Sequence, residues 1–263
     1  MQLSSTNHAF ITGGASGIGL GIADALLKRG VRVTIADINA DALAEVLATR
    51  GNALRGVLLD VRDREQWQAA KGKAEEVFGP VDLLVNNAGI APDGLELADS
   101  QPESFERIFG INFYGVYNGI VTFGAGIRAL GRGHILNVAS MAGLSSERAT
   151  TGAYSASKYA VVSLSETLRV EMAPHGVGVS LMCPGLVMTN LPENTAKIGG
   201  NLRPGGKMPG GLDAGVAGEM AVRGIERGQF YILTSFDRDE PIRRRFEEQL
   251  AAFAAGPDAD LAG

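Results

Sequence analysis

The chain has 263 residues, 45% of them hydrophobic and 36 of them glycine, which is enough to bury a substantial core and excludes a disordered polypeptide. A formal net charge of -5 with no basic stripe gives no electrostatic footprint for nucleic acid, and the Arg243-Arg244-Arg245 run is flanked by acids as on a solvated helix face. Cys183 is the only cysteine, so no intrachain disulfide can form and a reducing, cytoplasmic compartment is expected.

Residues 1–7 have neither the basic segment nor the apolar core of a secretion signal. The most apolar long stretch, residues 111–127, is interrupted by Asn112, Asn118 and glycines and is too short for a bilayer, so no membrane partner is expected.

In chain order, residues 8–12 form a short apolar run that ends in glycines, and Ile18, Ile22 and Leu26 then recur at helical spacing. The pattern reads strand, turn, helix. The turn is Thr12-Gly13-Gly14-Ala15-Ser16-Gly17-Ile18-Gly19, with Gly-x-x-x-Gly-x-Gly spacing. Glycines there permit a tight turn and close approach of a pyrophosphate, and the positive end of the following helix favours the anion. Residues 31–36 read as the second strand, with Asp37 at its carboxyl end, eighteen positions after Gly19. A carboxylate there can accept hydrogen bonds from the adenosine ribose and would repel a 2'-phosphate, so NAD is favoured over NADP. Asp37 could instead cap the helix expected over residues 39–50, a task Asn39 fills equally well.

Further alternation follows: a strand at 54–59 ending in Asp60 and Val61, a helix at 64–78, and a strand at 81–85 ending in Asn86-Asn87-Ala88-Gly89. Such alternation predicts a parallel sheet covered on both faces, with ligands outside the carboxyl ends of its strands. Residues 103–129 read as one long helical region containing Asn112, Gly115 and Gly119; mid-helix glycines point to close helix approach or a backbone irregularity. Asn112 reads equally as a satisfied buried amide or as a functional group.

A fifth strand at 134–139 ends in Ser140. The next helix carries Ala153, Ala156, Ala160, Leu164 and Leu168 as its expected apolar stripe, and Pro174 marks its end. Tyr154 and Lys158 sit one turn apart on it, fourteen positions beyond Ser140. An ammonium beside a phenol favours the phenolate and is expected to draw the tyrosine below its usual range; in isolation, an ordinary surface pair on an amphipathic helix is the better reading. A sixth strand at 177–182 ends in Cys183-Pro184-Gly185. Residues 189–212 are rich in glycine and proline with little periodicity, as in a lid, and a strand at 230–234 and a charged helical tail at 238–255 close the chain. No repeat or linker divides residues 1–263, which read as one domain. His8, His134 and His175 form no ligand-spaced cluster, so they read as structural and no metal is expected.

With these residues in place the chain resembles the short-chain dehydrogenase/reductase family over nearly its whole length. The resemblance rests on the order of Thr12 to Gly19, Asp60, Asn86 to Gly89, Asn112, Ser140, Tyr154 with Lys158, Pro184-Gly185 and Thr189. It implies a Rossmann-type α/β fold, with a doubly wound, seven-stranded, mostly parallel sheet that binds a nicotinamide dinucleotide. On this resemblance Tyr154 is the general acid/base, Ser140 orients the substrate oxygen, Lys158 holds the nicotinamide ribose and lowers the tyrosine pKa, and Asn112 anchors a proton-relay water. Gly13, Ser16, Gly17, Ile18 and Gly19 would cradle the cofactor. Asp60 and Val61 would contact adenine, Asn87, Ala88 and Gly89 the adenosine side, and Pro184, Gly185, Val187 and Thr189 the nicotinamide end.

The expected activity is interconversion of a secondary alcohol and a ketone by hydride transfer. Met141, Leu144, Met182, Leu186, Met188 and Leu191 flank the expected catalytic edge, which points to an apolar, bulky or aromatic small-molecule substrate unless several of them only pack the core. A non-catalytic NAD-binding regulatory or scaffold protein of the same fold is the alternative, and the intact Ser140, Tyr154 and Lys158 set argues against it. The family's habit of pairing its long helices implies a tetramer or dimer, with which Gly115 and Gly119 are compatible. The charged tail departs from the family's usual short ending.

Overall fold

A computed structural model of the chain describes residues 7–200, 210–237 and 239–256. In chain order its elements are β1 (His8–Thr12), α1 (Gly17–Leu27), β2 (Arg32–Asp37), α2 (Ala40–Ala48), β3 (Leu54–Leu58), α3 (Arg64–Phe78) and β4 (Leu83–Asn86). There follow α4 (Pro102–Phe109), α5 (Gly115–Ala129), β5 (Gly133–Val138), α6 (Gly152–Met172), β6 (Val177–Cys183) and β7 (Val187–Met188). The last are α7 (Leu191–Lys197), β8 (Leu212–Asp213), α8 (Ala214–Glu226), β9 (Tyr231–Leu233) and α9 (Glu240–Ala255).

Seven strands form one sheet in the order β3-β2-β1-β4-β5-β6-β9, and each of its pairings is parallel. From β1 the chain first winds outward to β2 and β3, then returns to place β4 on the other side. The connections from β1 and β4 therefore diverge at their carboxyl ends, where this topology leaves a crevice. β7 and β8 make a separate parallel pair, Val187 opposite Leu212 and Met188 opposite Asp213.

Both sheet faces are covered, so β1 is buried at all five positions instead of alternating with polar residues. Its period of two still sorts the side chains. Phe10 joins Trp67 and Phe123 in a ring cluster under α3 and α5, with centroids 6.0 and 4.7 Å from its own. Ala9 and Ile11 join Ile22, Leu26, Val222 and Ile225 under α1 and α8. Helix starts are fixed locally: Asn39 accepts from Ala42 N, Asp63 from Glu65 and Gln66 N, and Asp213 from Val216 N.

The long region after β4, residues 103–129, is helical throughout, with the backbone irregularity that its glycines suggest. A π-helical turn, Gly110–Tyr114, separates α4 from α5 and contains Asn112. Gly115 and Gly119 face inward: a Cβ at Gly115 would lie 2.8 Å from Val61 Cγ2, and one at Gly119 would overlap Asn86 Oδ1 and lie 2.9 Å from Trp67 Cη2. These glycines therefore serve the core and give no support to helix pairing between subunits.

On α6 the stripe differs from the one expected. Ala156 is exposed, and Ala160 and Leu164 are half-buried; the buried face is Ala153, Ser157, Val161, Ser165, Leu168 and Met172. Serines can occupy it because Ser157 Oγ donates to Tyr154 O at 2.7 Å and Ser165 Oγ to Val161 O at 2.6 Å. Helix α8 has no counterpart among the sequence expectations. Its seam with α1 is made largely of small residues, and a Cβ at Gly218 would overlap the Gly21 backbone; its large buried side chains are Val222 and Ile225.

The expected lid at 189–212 contains a helix, α7, and its residues 201–209 lie outside the described residues, as does residue 238 of the expected tail. Helix α9 covers 240–255 and buries none of its side chains fully. Among the described residues no helix is long and apolar enough to cross a membrane.

Candidate active site

The glycine-rich turn joins β1 to α1 with Gly13 at φ 62 and Gly17 at φ 53, the left-handed region that glycine enters without strain. Space matters as well: a Cβ on Gly13 would sit 2.9 Å from Ala88 Cα, and one on Gly19 would overlap Gly13 O. Ser16 occupies the N-cap position of α1 yet makes no side-chain cap bond; its hydroxyl instead accepts from Asn194 Nδ2 at 3.2 Å. The first-turn amides of α1 thus have no side-chain acceptor, and the cradle suits a bound anion. Ile18 is half-buried behind Gly17 and packs on the α1 side of the core.

At the end of β2, Asp37 is half-buried and accepts from Ala15 N at 3.1 Å through one oxygen and from Asn39 N at 3.1 Å through the other. Asn39, not Asp37, caps α2. The carboxylate therefore stands against the glycine-rich turn.

The end of β4 is tied to the same turn. Thr12 Oγ accepts from Asn87 N at 3.0 Å and Ala88 N at 3.1 Å, while Asn87 Nδ2 donates to Thr12 O at 2.9 Å and Gly13 O at 3.1 Å. Neighbouring Asn86 points into the core, donating to Asn137 Oδ1, whose own amide donates to Ser165 Oγ. Asp60 is held by Arg62, with contacts of 2.6 to 3.1 Å that keep its carboxyl below the usual range. Val61 is buried, and its carbonyl accepts from Trp67 Nε1 and Asn118 Nδ2.

Ser140, Tyr154, Lys158 and Asn112 converge at the carboxyl ends of β4 and β5. Ser140 Oγ accepts from Ala142 N at 3.2 Å, which fixes it at the head of a short 3-10 turn on the side of Tyr154. Lys158 is buried, donates to Val138 O at 3.2 Å, and its Nζ lies 5.8 Å from the Tyr154 ring centroid. Asn112, fully buried, accepts from Ile90 N at 2.8 Å and donates to Ile90 O at 3.2 Å and Ser157 Oγ at 3.3 Å. A Cβ on Gly89 would stand 3.2 Å from Asn112 Oδ1 and 3.4 Å from Lys158 Nζ, so this glycine leaves the space between them clear.

The electrostatics correct one expectation. Desolvation pushes the half-buried Tyr154 up from its usual value and outweighs the opposing hydrogen bond from Ser140. Lys158, whose Nζ donates to Val138 O and lies 5.8 Å from the ring centroid, does not reverse this. Burial also lowers Lys158 to about 8, and it pushes the Cys183 thiol at the end of β6 up to about 12. Among the described residues, no group of His, Cys, Asp and Glu could hold a metal ion.

Beyond β6, Pro184 O accepts from Met141 N at 2.9 Å and Gly185 N donates to Thr234 Oγ at 2.9 Å, joining this turn to Ser140 and β9. Thr189 approaches Gly17, where an added Cβ would be 3.1 Å from Thr189 Cγ2, and half-buried Val187 packs on the α1 side of the core. Met141, Leu144 and Leu191 are half-buried, whereas Leu186 and Met188 are 39% and 56% exposed and form a rim. Met182 is a core residue with no exposure.

Thr12, Asn194 and Thr195 are the site residues that sequence reasoning left without a role. Thr12 was within the motif, but its hydrogen-bonding partners are 75 positions away. Thr195 is buried and accepts from Ala91 N at 2.9 Å, 104 positions away, which no local pattern could announce.

A family model described as short chain dehydrogenase matches residues 7–198. The C alpha-dehydrogenase of a Sphingobium species is 38% identical over 190 residues, 70% of this chain and 62% of that relative, so the aligned stretch spans less than two thirds of the relative's length. A 3-alpha-(or 20-beta)-hydroxysteroid dehydrogenase of Mycobacterium tuberculosis is 36% identical over 70% of this chain and 70% of its own. A short chain dehydrogenase/reductase from Burkholderia phymatum, solved in complex with NAD, superposes with a TM-score of 0.87 at 32% identity, covering 96% of this chain and 97% of that one. Strand order, glycine cradle and matched residues agree, and the chain belongs to the short-chain dehydrogenase/reductase family of oxidoreductases.

Proposed function

We propose that the protein is an NAD(H)-dependent dehydrogenase that interconverts a secondary alcohol and a ketone, with Tyr154 as the general acid/base. The observation that carries this reading is the convergence of Ser140, Tyr154 and a buried lysine, its Nζ 5.8 Å from the tyrosine ring, at the strand ends that border the glycine cradle. Gly13, Ser16, Gly17, Ile18 and Gly19 would hold the diphosphate, with Asp60 and Val61 at the adenine and Asn87, Ala88 and Gly89 at the adenosine side. Pro184, Gly185, Val187 and Thr189 would border the nicotinamide. Asp37, adjacent to Ala15 N, would take the ribose hydroxyls and disfavour a 2'-phosphate.

A bound nicotinamide dinucleotide would supply the hydride acceptor or donor. The chain's own residues handle the proton and the positioning. Tyr154 takes the hydroxyl proton of an alcohol, or returns it to a ketone oxygen, and Ser140 hydrogen-bonds the same oxygen as charge develops there. Lys158, with a pKa of about 8, is still largely protonated at neutral pH, so its charge favours the phenolate when that forms. Asn112, through Ile90 and Ser157, sets the backbone on which the proton path would rest.

The exposed rim of Leu186 and Met188, with Met141 and Leu191 beside it, favours an apolar, bulky or aromatic alcohol. The hydroxysteroid-named relative is consistent with that size class. Exposed Phe105, Tyr114 and Val121 on the α4–α5 face support a dimer or tetramer, which sedimentation would test, and the single buried thiol suits a reducing cytoplasm.

The deciding experiment is a screen of aryl, alicyclic and steroid secondary alcohols and ketones with NAD and NADP in parallel, followed by nicotinamide absorbance. Turnover with NAD is expected. NAD binding without turnover of any substrate would favour the non-catalytic alternative.

A further inference from the structure

Helix α7 lies across both walls of the cleft. On one side Thr195, buried, accepts from Ala91 N in the loop after β4. On the other, Asn194 Nδ2 donates to Ser16 Oγ, the hydroxyl at the head of the glycine-rich turn. The adjoining Thr189 packs against Gly17.

Two details give the Asn194 contact chemical meaning. Ser16 stands where a serine ordinarily accepts from the second or third amide of its helix, yet it does not cap α1 and instead accepts from Asn194. A carboxamide nitrogen also carries two hydrogens, and only one is directed at Ser16. We infer that Asn194 is a diphosphate-binding residue, through which α7 closes over a dinucleotide and senses its charged bridge. The inference rests on the nicotinamide-dinucleotide reading above and extends it to a residue on the lid. The second N–H of Asn194 and the uncapped amides of α1 would donate to the same anion from opposite sides. Because coupling is reciprocal, a ligand bearing the diphosphate holds α7 closed, and a ligand without it does not.

Isothermal titration of the full-length protein with NAD, ADP-ribose and adenosine, for the unmodified chain, Asn194→Ala and Asn194→Asp, tests the inference. Losing one donor to a charged group should weaken NAD and ADP-ribose about 10-fold in Asn194→Ala, and a carboxylate at that place should weaken them more. Adenosine affinity, read by competition, should stay within about 2-fold, since it lacks the diphosphate. Hydrogen exchange over residues 190–198 should slow with ADP-ribose in the unmodified chain and not in Asn194→Ala. Equal NAD affinity in the unmodified chain and Asn194→Ala would overturn the inference alone, as would an equal loss of adenosine affinity. An unmodified protein that binds neither NAD nor NADP would overturn the nicotinamide reading and the inference with it.

Discussion

Thr12→Val is the most informative single perturbation of the site, because it changes one atom's chemistry and almost no volume. Thr12 is 2% exposed, and its Oγ is the acceptor for Asn87 N and Ala88 N and a donor to Val85 O at 3.5 Å. Valine leaves two backbone amides without their acceptor. An unmet buried donor costs about 1–3 kcal/mol; Asn87 and Ala88 are half-buried, so the low end applies and the sum is about 2–3 kcal/mol. For a chain of this size that is a fall in Tm of about 4–6 °C. The same change frees the wall of the cradle formed by Asn87 and Ala88, so NAD affinity should fall as well. Thr12→Ser retains the hydroxyl and should recover most of both losses. Urea and thermal melts of the three proteins, with NAD titrations, check this. A valine variant as stable and as tight-binding as the serine variant would refute the idea that the hydroxyl joins the two strand ends.

Four further outcomes are expected. Tyr154→Phe should lower turnover by about 10²–10⁴-fold while NAD still binds; near-full activity would remove Tyr154 from the chemistry. Asp37→Ser should raise the use of NADP relative to NAD, which paired cofactor kinetics measure; an unmodified enzyme indifferent to the two would defeat the ribose argument. Lys158 has a folded pKa of about 8, below its ordinary 10.5, so the unfolded chain binds the extra proton between those values and stability rises with pH across that window. The cost of burying the ammonium, about 3 kcal/mol, is fully present below pH 8. The stability of wild type relative to Lys158→Met should therefore rise from pH 8 to 10.5, and a flat difference would contradict it. His134, buried against Ser180 and lowered to about 3, works at the other extreme. It is neutral when folded and charged when unfolded between pH 6.5 and 3, so stability is lost as pH falls through that range and His134→Gln should blunt the loss.

Much of the architecture was legible because it rests on local chemistry. Alternating strand and helix patterns, glycine at Gly13 and Gly17, and polar residues at the strand ends all report short-range requirements of the backbone. The sequence pattern predicts a helix over 64–78, and α3 has those bounds, because Asp63 caps one end and Gly79 stops the other. Elements stabilised by distant partners were less visible. Helix α8 is packed on α1 through glycines such as Gly218, and α7 is fixed by Ser16 and Ala91, contacts that no local pattern announces.

The ordered motifs by themselves determined the family and the strand order's general type, and they singled out Tyr154, Ser140 and Lys158 as candidates, since each occupies a spacing that a strand end or one helical turn imposes. Tertiary structure alone decided the electrostatic state of Tyr154. One turn of α6 sets Lys158 near the ring, but burial is the larger effect on the phenol, and it depends on residues far away in sequence.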